Sequence, residues 1–264
     1  MTLRRIRLEL SYDGTDFAGW QWQDGRRTVQ GVVEQALRRL AGDRVVRLRA
    51  AGRTDAGVHA RAQVADCLID SRLDDDTLAR ALGRMLPPDV RPRSVATVDR
   101  GFSAMRQAVR KTYRYRVDRS RFGNPLIARF ALHCPDPLDA QRIERTLAML
   151  VGRRDWSGFA DSRCRVENRV RDLTEATFRE HDGDEASFHF TADGFLTYMV
   201  RNMVGTVLEI GRGRMPVEVI GRMLASRDRR LGAATAPARG LCLWEVVYAR
   251  RPAIPAERGG TSDE

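Results

Sequence analysis

Between Arg4 and Leu10 apolar and charged residues alternate, Ile6, Leu8 and Leu10 against Arg5, Arg7 and Glu9, the period of a strand with one buried face. Val29, Val32, Val33, Ala36, Leu37 and Leu40 then recur at helical spacing, with Thr28 as the predicted N-cap and Gly42 as the stop. Strands are predicted over Arg44–Ala50 and Gln63–Ile69. A helix with Leu78, Ala81, Leu82 and Met85 on one face follows, ended by Pro87-Pro88, and Val90–Val98 closes the set as a strand.

This order, βαββαβ, is the ferredoxin-like unit, in which helices cover one face of an antiparallel sheet. The same order returns. A strand over Val109–Val117, a helix over Asp139–Val151, strands over Leu173–Arg179 and Ala186–Ala192, helices over Phe195–Ile210 and Pro216–Ser226, and a strand over Leu241–Tyr248 complete a second round. The expected fold class is therefore α+β, with two ferredoxin-like halves, residues 1–105 and 106–250, largely antiparallel sheets and an active-site cleft between them. Residues 251–264, rich in Pro, Gly and charge, are predicted to be disordered.

With 264 residues, 42% of them hydrophobic, the chain can bury a core, which excludes disorder throughout. Lys plus Arg number 46 against 35 Asp plus Glu, and the net charge of +11 suits a polyanionic partner such as nucleic acid. Lys111 is the single lysine, and so strong an arginine bias also arises from coding composition, so the charge alone decides nothing. No apolar stretch approaches the roughly 20 residues that span a bilayer. The start, Met1-Thr-Leu-Arg-Arg-Ile-Arg, puts charges where a signal peptide needs an apolar run. Cys67, Cys134, Cys164 and Cys242 are scattered without metal spacing, so neither a metal site nor a disulfide framework is expected, and a reduced, cytoplasmic setting fits.

The densest chemical signal is Ala51-Gly-Arg-Thr-Asp-Ala-Gly-Val-His-Ala60, between two predicted strands. Gly52 and Gly57 flank Asp55, with Arg53 two positions before it. A turn in which Asp55 only caps backbone N–H groups explains the spacing as well as catalysis does. His59 reads as a packed loop histidine. In Tyr12-Asp-Gly-Thr-Asp-Phe-Ala-Gly-Trp-Gln-Trp-Gln23, Phe17, Trp20 and Trp22 are expected to plug the end of the core, and Asp13 and Asp16 lack the spacing of a calcium loop. Tyr113 and Tyr115 project to one side of a strand and Arg114 and Arg116 to the other, and one tyrosine is expected to open onto the cleft. Arg201 borders the apolar stripe of Leu196, Met199, Val200, Met203, Val204 and Val207, one turn before a small Gly205.

Together, Tyr12-Asp-Gly-Thr-x-Phe-x-Gly-Trp-Gln, Ala51-Gly-Arg-Thr-Asp-Ala-Gly-Val-His, Tyr113-x-Tyr115, Met199-Val-Arg-Asn-x-Val-Gly205 and Ala234-Thr-Ala-Pro-Ala-x-Gly-Leu241 resemble the tRNA pseudouridine synthase A family, in family order and over nearly the whole chain. The resemblance implies a cofactor-free homodimeric isomerase that converts uridines at positions 38, 39 and 40 of the tRNA anticodon stem-loop to pseudouridine. It also implies that Asp55 is the catalytic aspartate, Arg53 the arginine that helps displace the target base, Tyr113 the aromatic that stacks on it, and Arg201 the salt-bridge partner of Asp55. Two segments depart from the family pattern: Ala104-Met-Arg-Gln107, where Ala-Arg and an aromatic are usual, and Asn168-Arg169, near a usual Arg-Thr pair.

Residue chemistry is consistent with that function. Moving uracil from an N1 to a C5 linkage on C1′ needs neither redox chemistry nor net hydrolysis, and one ionised carboxylate suffices, whether it adds to C1′ or takes a C2′ proton. Two other readings remain open on the residues alone. A non-catalytic tRNA-binding protein would use the basic surface but not Asp55, and a hydrolytic nucleosidase would need a second carboxylate, which these motifs do not supply.

Overall fold

The computed structural model describes residues 3–41 and 47–249. In chain order the elements are β1 (Leu3–Tyr12), α1 (Val29–Ala41), β2 (Arg49–Ala50), β3 (His59–Asp70), α2 (Asp75–Met85) and β4 (Val90–Val98). Then come β5 (Ala108–Asp118), β6 (Leu132–His133), α3 (Ala140–Leu150), β7 (Gly152–Asp155), β8 (Val170–Glu180), β9 (Glu185–Ala192), α4 (Met199–Gly211), α5 (Val219–Ser226) and β10 (Leu241–Tyr248). The alternation in β1 does what its period demands. Ile6, Leu8 and Leu10 are fully buried, each such side chain contributing about 1.5–3 kcal/mol by leaving water.

The helix starts are set locally. Thr28 Oγ1 accepts from Gly31 N at 3.2 Å at the head of α1, and Asp74 and Asp139 cap α2 and α3 by accepting from Thr77 N at 2.7 Å and Arg142 N at 3.0 Å. Pro87 and Pro88 follow the C-cap residue Leu86 and cannot extend α2. The predicted boundary at residues 105 and 106 falls in the connection between β4 and β5.

The strands form one ten-stranded sheet, ordered β4-β1-β3-β10-β5-β9-β8-β7, with β2 paired to β3 and β6 to β5. The expected α+β class with largely antiparallel strands is present, and the strands of the two halves join edge to edge. The last strand, β10, lies antiparallel to β5 and parallel to β3, through Cys242 opposite His59 and Leu243 opposite Ala60, so both halves share one sheet. Pro92 is tolerated because β4 is an edge strand.

Other boundaries move for identifiable reasons. The helix expected from Phe195 begins at Met199, because Tyr198 takes the left-handed conformation at φ 61° and interrupts the pattern. The next begins at Val219 rather than Pro216. Of the strand expected over Arg44–Ala50, residues 47–50 are described and Arg49 and Ala50 of these pair with β3; residues 44–46, the Gly42 stop and the tail 251–264 lie outside the described residues. The short strands β6 and β7 were not expected from periodicity.

Candidate active site

The loop from Gly52 to Val58 carries Asp55 between β2 and β3, and its shape is imposed by the loop after β1. Trp20 N donates to Thr54 O at 3.0 Å, Gly57 N to Phe17 O at 3.2 Å, and the Tyr12 and Thr54 hydroxyls lie 2.8 Å apart. Two glycines make this approach possible. A Cβ on Gly14 would lie 2.0 Å from Val58 O, and one on Gly19, at φ +96°, would lie 2.7 Å from Thr54 O. From the other side Lys111 Nζ, on β5, donates to Ala51 O at 2.6 Å, and Gln63 Nε2 donates to Gly52 O at 2.8 Å. Asp55 is thus presented on a backbone braced by both halves.

Arg201 reaches the same place from the first turn of α4. Its Nη1 lies 3.5 Å from Asp55 Oδ2, while its Nε donates to Ala236 O at 2.8 Å and Ala236 N returns a bond to Arg201 O at 3.1 Å. The segment Ala234–Leu241 lies against α4 at Gly205, where a Cβ would stand 2.1 Å from Ala234 O. The room that a small residue at 205 was expected to leave is taken up by this segment. Pro237 O accepts from the Tyr115 hydroxyl at 2.9 Å, so the same segment is fixed to β5.

Electrostatics around Asp55 come from burial and three charged groups. Burial pushes its carboxyl above the ordinary value of 3.8, Arg201 pulls it back, Asp161 pushes it up and Arg163 pulls it down. Asp161 is itself held low by its hydrogen bond with Arg163, at 2.9 Å from Nε. The side chains of Asp55 and Arg201 keep 28% and 14% of their surface exposed, so the pair is shielded from solvent yet reachable. Tyr113 packs edge-on against Phe195, with ring centroids 5.1 Å apart, and burial holds its hydroxyl protonated. Both Tyr113 and Tyr115 are buried, at 7% and 0% exposed, which corrects the expectation that one of them opens onto the cleft.

The sequence matches a protein-family model described as tRNA pseudouridine synthase over residues 10–106 and 147–249. It is 42% identical over 245 residues to the tRNA pseudouridine synthase A of Streptococcus mutans serotype c, covering 92% of this chain and 98% of that protein. It is 38% identical over 245 residues to the protein of that name from a Geobacillus strain, covering 93% and 98%. The chain belongs to the tRNA pseudouridine synthase family. Among solved structures, an archaeal box H/ACA sRNP Nop10-Cbf5 complex aligns over 90% of this chain and 46% of that one, at 13% identity and a TM-score of 0.38, too loosely to bear on the site.

As a tRNA pseudouridine synthase, the protein is an isomerase acting on uridine in tRNA. Of the residues expected to serve this activity, Asp55 and Arg201 come together and Tyr113 is buried on β5 against Phe195, whereas Arg53 is exposed on the loop and makes no ion pair among the described residues. His59 is structural: its Nδ1 accepts from Gly14 N at 3.0 Å and its Nε2 lies 3.1 Å from Arg239 O. Phe17 and Trp20 plug the core as expected, but Trp22 is 49% exposed, a correction, with Arg47 over its ring. Asp13 and Asp16 both bind Arg129, at 2.5 Å each, and no cluster suited to a metal occurs among the described residues. Of the departures from the family pattern, Met105, Arg106 and Gln107 are exposed, while Asn168 turns back to accept from Val170 N at 3.0 Å.

Sequence reasoning missed Asp161, Arg163 and Tyr198. The guanidinium of Arg163 lies 5.7 Å and that of Arg201 4.6 Å from the centroid of the Tyr198 ring. Asp161-Ser-Arg163 carries only a generic pair of charges two residues apart, and nothing about Thr197-Tyr198 announces a backbone break.

Proposed function

We propose that the protein isomerises uridines at positions 38, 39 and 40 of the tRNA anticodon stem-loop, with Asp55 as the reacting carboxylate. The observation that carries this reading is the Asp55 carboxylate, half-buried beside the seam between the halves and 3.5 Å from Arg201 Nη1. A carboxylate must be ionised to attack C1′ or to remove the C2′ proton, and the adjacent cation opposes the burial that would protonate it. Either route breaks the N1–C1′ bond, turns the uracil and joins C5 to C1′; the C5 proton is lost and N1 regains one.

A uridine in a stem must leave the stack first, at about a few kcal/mol. Arg53, exposed beside Asp55, is suited to fill the vacated space, and the Tyr113 ring to recover roughly 1–3 kcal/mol by stacking on the flipped base. The wider reading is a homodimer acting in the cytoplasm without a cofactor, each half following one ferredoxin-like plan. Strand orders β4-β1-β3-β2 and β10-β5-β9-β8 support the shared plan. Phe122 and Leu126, 86% and 87% exposed between β5 and β6, offer apolar surface for a second subunit, and four unpaired cysteines suit a reducing compartment.

The test is release of tritium from C5-labelled uridine in tRNA. Wild-type protein is expected to release it, Asp55→Asn to lose at least about a thousandfold in rate. Binding without release in the wild type would reduce the protein to an RNA-binding module. A hydrolase reading gains a second carboxylate in Asp161, but that group is engaged by Arg163; free uracil among the products would favour it.

A further inference from the structure

Tyr198 and Arg227 are the described non-glycine residues with positive φ, at 61° and 57°. Arg227 follows the end of α5, where a left-handed residue is a common helix stop. Tyr198 instead precedes the first turn of α4, where an extended residue with a capping side chain is usual, and its side chain makes no capping bond. A bulky side chain pays for this backbone region through contact of its Cβ with the neighbouring carbonyl. The conformation delivers the ring to two arginines: Arg201 over its face at 4.6 Å, and Arg163 at 5.7 Å with Nη2 3.4 Å from the hydroxyl. The adjoining backbone is anchored too, since Asp161 N donates to Thr197 O at 3.0 Å.

A guanidinium is a plane, and two hydrogen bonds along its edges leave it free to rock about the line joining them. Arg201 has those two edges, Nε on Ala236 O and Nη1 toward Asp55. A ring against its face removes the remaining freedom. We propose that Tyr198 is a positioning residue for the isomerisation, its ring fixing the Arg201 guanidinium in the orientation that faces Asp55. The proposal rests on the reading of Asp55 as the reacting carboxylate. The charged groups acting on Asp55 are Arg201, Asp161 and Arg163. Loosening Arg201 therefore removes the strongest of the influences that keep the carboxylate ionised.

The discriminating variant is Tyr198→Asn, because asparagine accepts left-handed backbone and has no ring. With folding checked by circular dichroism and Tm, kcat is expected to fall about tenfold. KM for tRNA stays within about twofold, and the acid limb of the pH–rate profile moves to higher pH. Tyr198→Phe, which keeps the ring, restores most of the rate and returns the limb toward its original position. If Tyr198→Asn does not fold, Tyr198→Gly carries the same test. An unmoved acid limb in the ringless variant overturns the proposal, whether or not kcat falls. Asp55→Asn, measured alongside, separates the two readings: if it stays active the carboxylate assignment fails, and if it is dead while the ringless variant keeps the parent profile, only the role of Tyr198 fails.

Discussion

The two halves of the molecule hold their charged partners by different means. Asp55, in the first half, is placed by backbone: its loop is pinned by main-chain bonds to Phe17 and Trp20, and Gly14 and Gly19 let chains approach more closely than a Cβ would allow. Arg201, in the second half, is placed by side-chain geometry: one carbonyl, one carboxylate and one ring. A backbone-built element fails abruptly when space is lost, whereas a side-chain-built one loosens by degrees. The reacting group stands on the rigid support and the group that tunes its charge on the adjustable one.

The sharpest break of that contrast is Gly14→Ala. Its Cβ would meet Val58 O at 2.0 Å, so a loss of about 3 kcal/mol of stability is expected, measurable by denaturant unfolding, with tritium release nearly abolished. Arg201→Ala comes next. The fold should persist, kcat should fall about a hundredfold, and the acid limb of the pH–rate profile should move up, because Asp55, already raised by burial, loses the cation that lowers it. An unchanged limb would remove the charge pairing from the mechanism.

Tyr113→Leu is expected to slow turnover about tenfold while tRNA binding by filter assay is largely kept, the signature of lost stacking on the flipped base. The smallest effect, and the one of opposite sign, belongs to Asp161→Asn. Removing a negative charge that raises the Asp55 carboxyl, and freeing Arg163 to lower it further, should shift the acid limb to lower pH with at most a few-fold change in kcat. A shift in the same direction as Arg201→Ala would contradict the electrostatic account.

The order of helices and long strands was legible because buried faces impose periods of two and 3.6 residues, and β4 and β10 match their expected bounds. The union of two sheets into one was not. It depends on β10 pairing with β3, elements far apart in the chain, and periodicity says nothing about which edges meet. At the site, glycines and charges in recognisable strings marked Asp55, Arg53, Tyr113 and Arg201. Asp161, Arg163 and Tyr198 stayed hidden because their roles arise only from proximity in space, and the left-handed turn at Tyr198 lacks the glycine or asparagine that would have signalled it.

The parallel seam makes the site depend on the strand nearest the end of the described chain. Asp55 and Arg201 belong to halves whose strand pairing to one another, among the described residues, runs through Cys242 and Leu243 of the final strand. β10 lies between β3 and β5 and covers one flank of each. A chain without that strand lacks the pairing that joins the two sheets, so the carboxylate and its guanidinium lose the common frame that holds them in register.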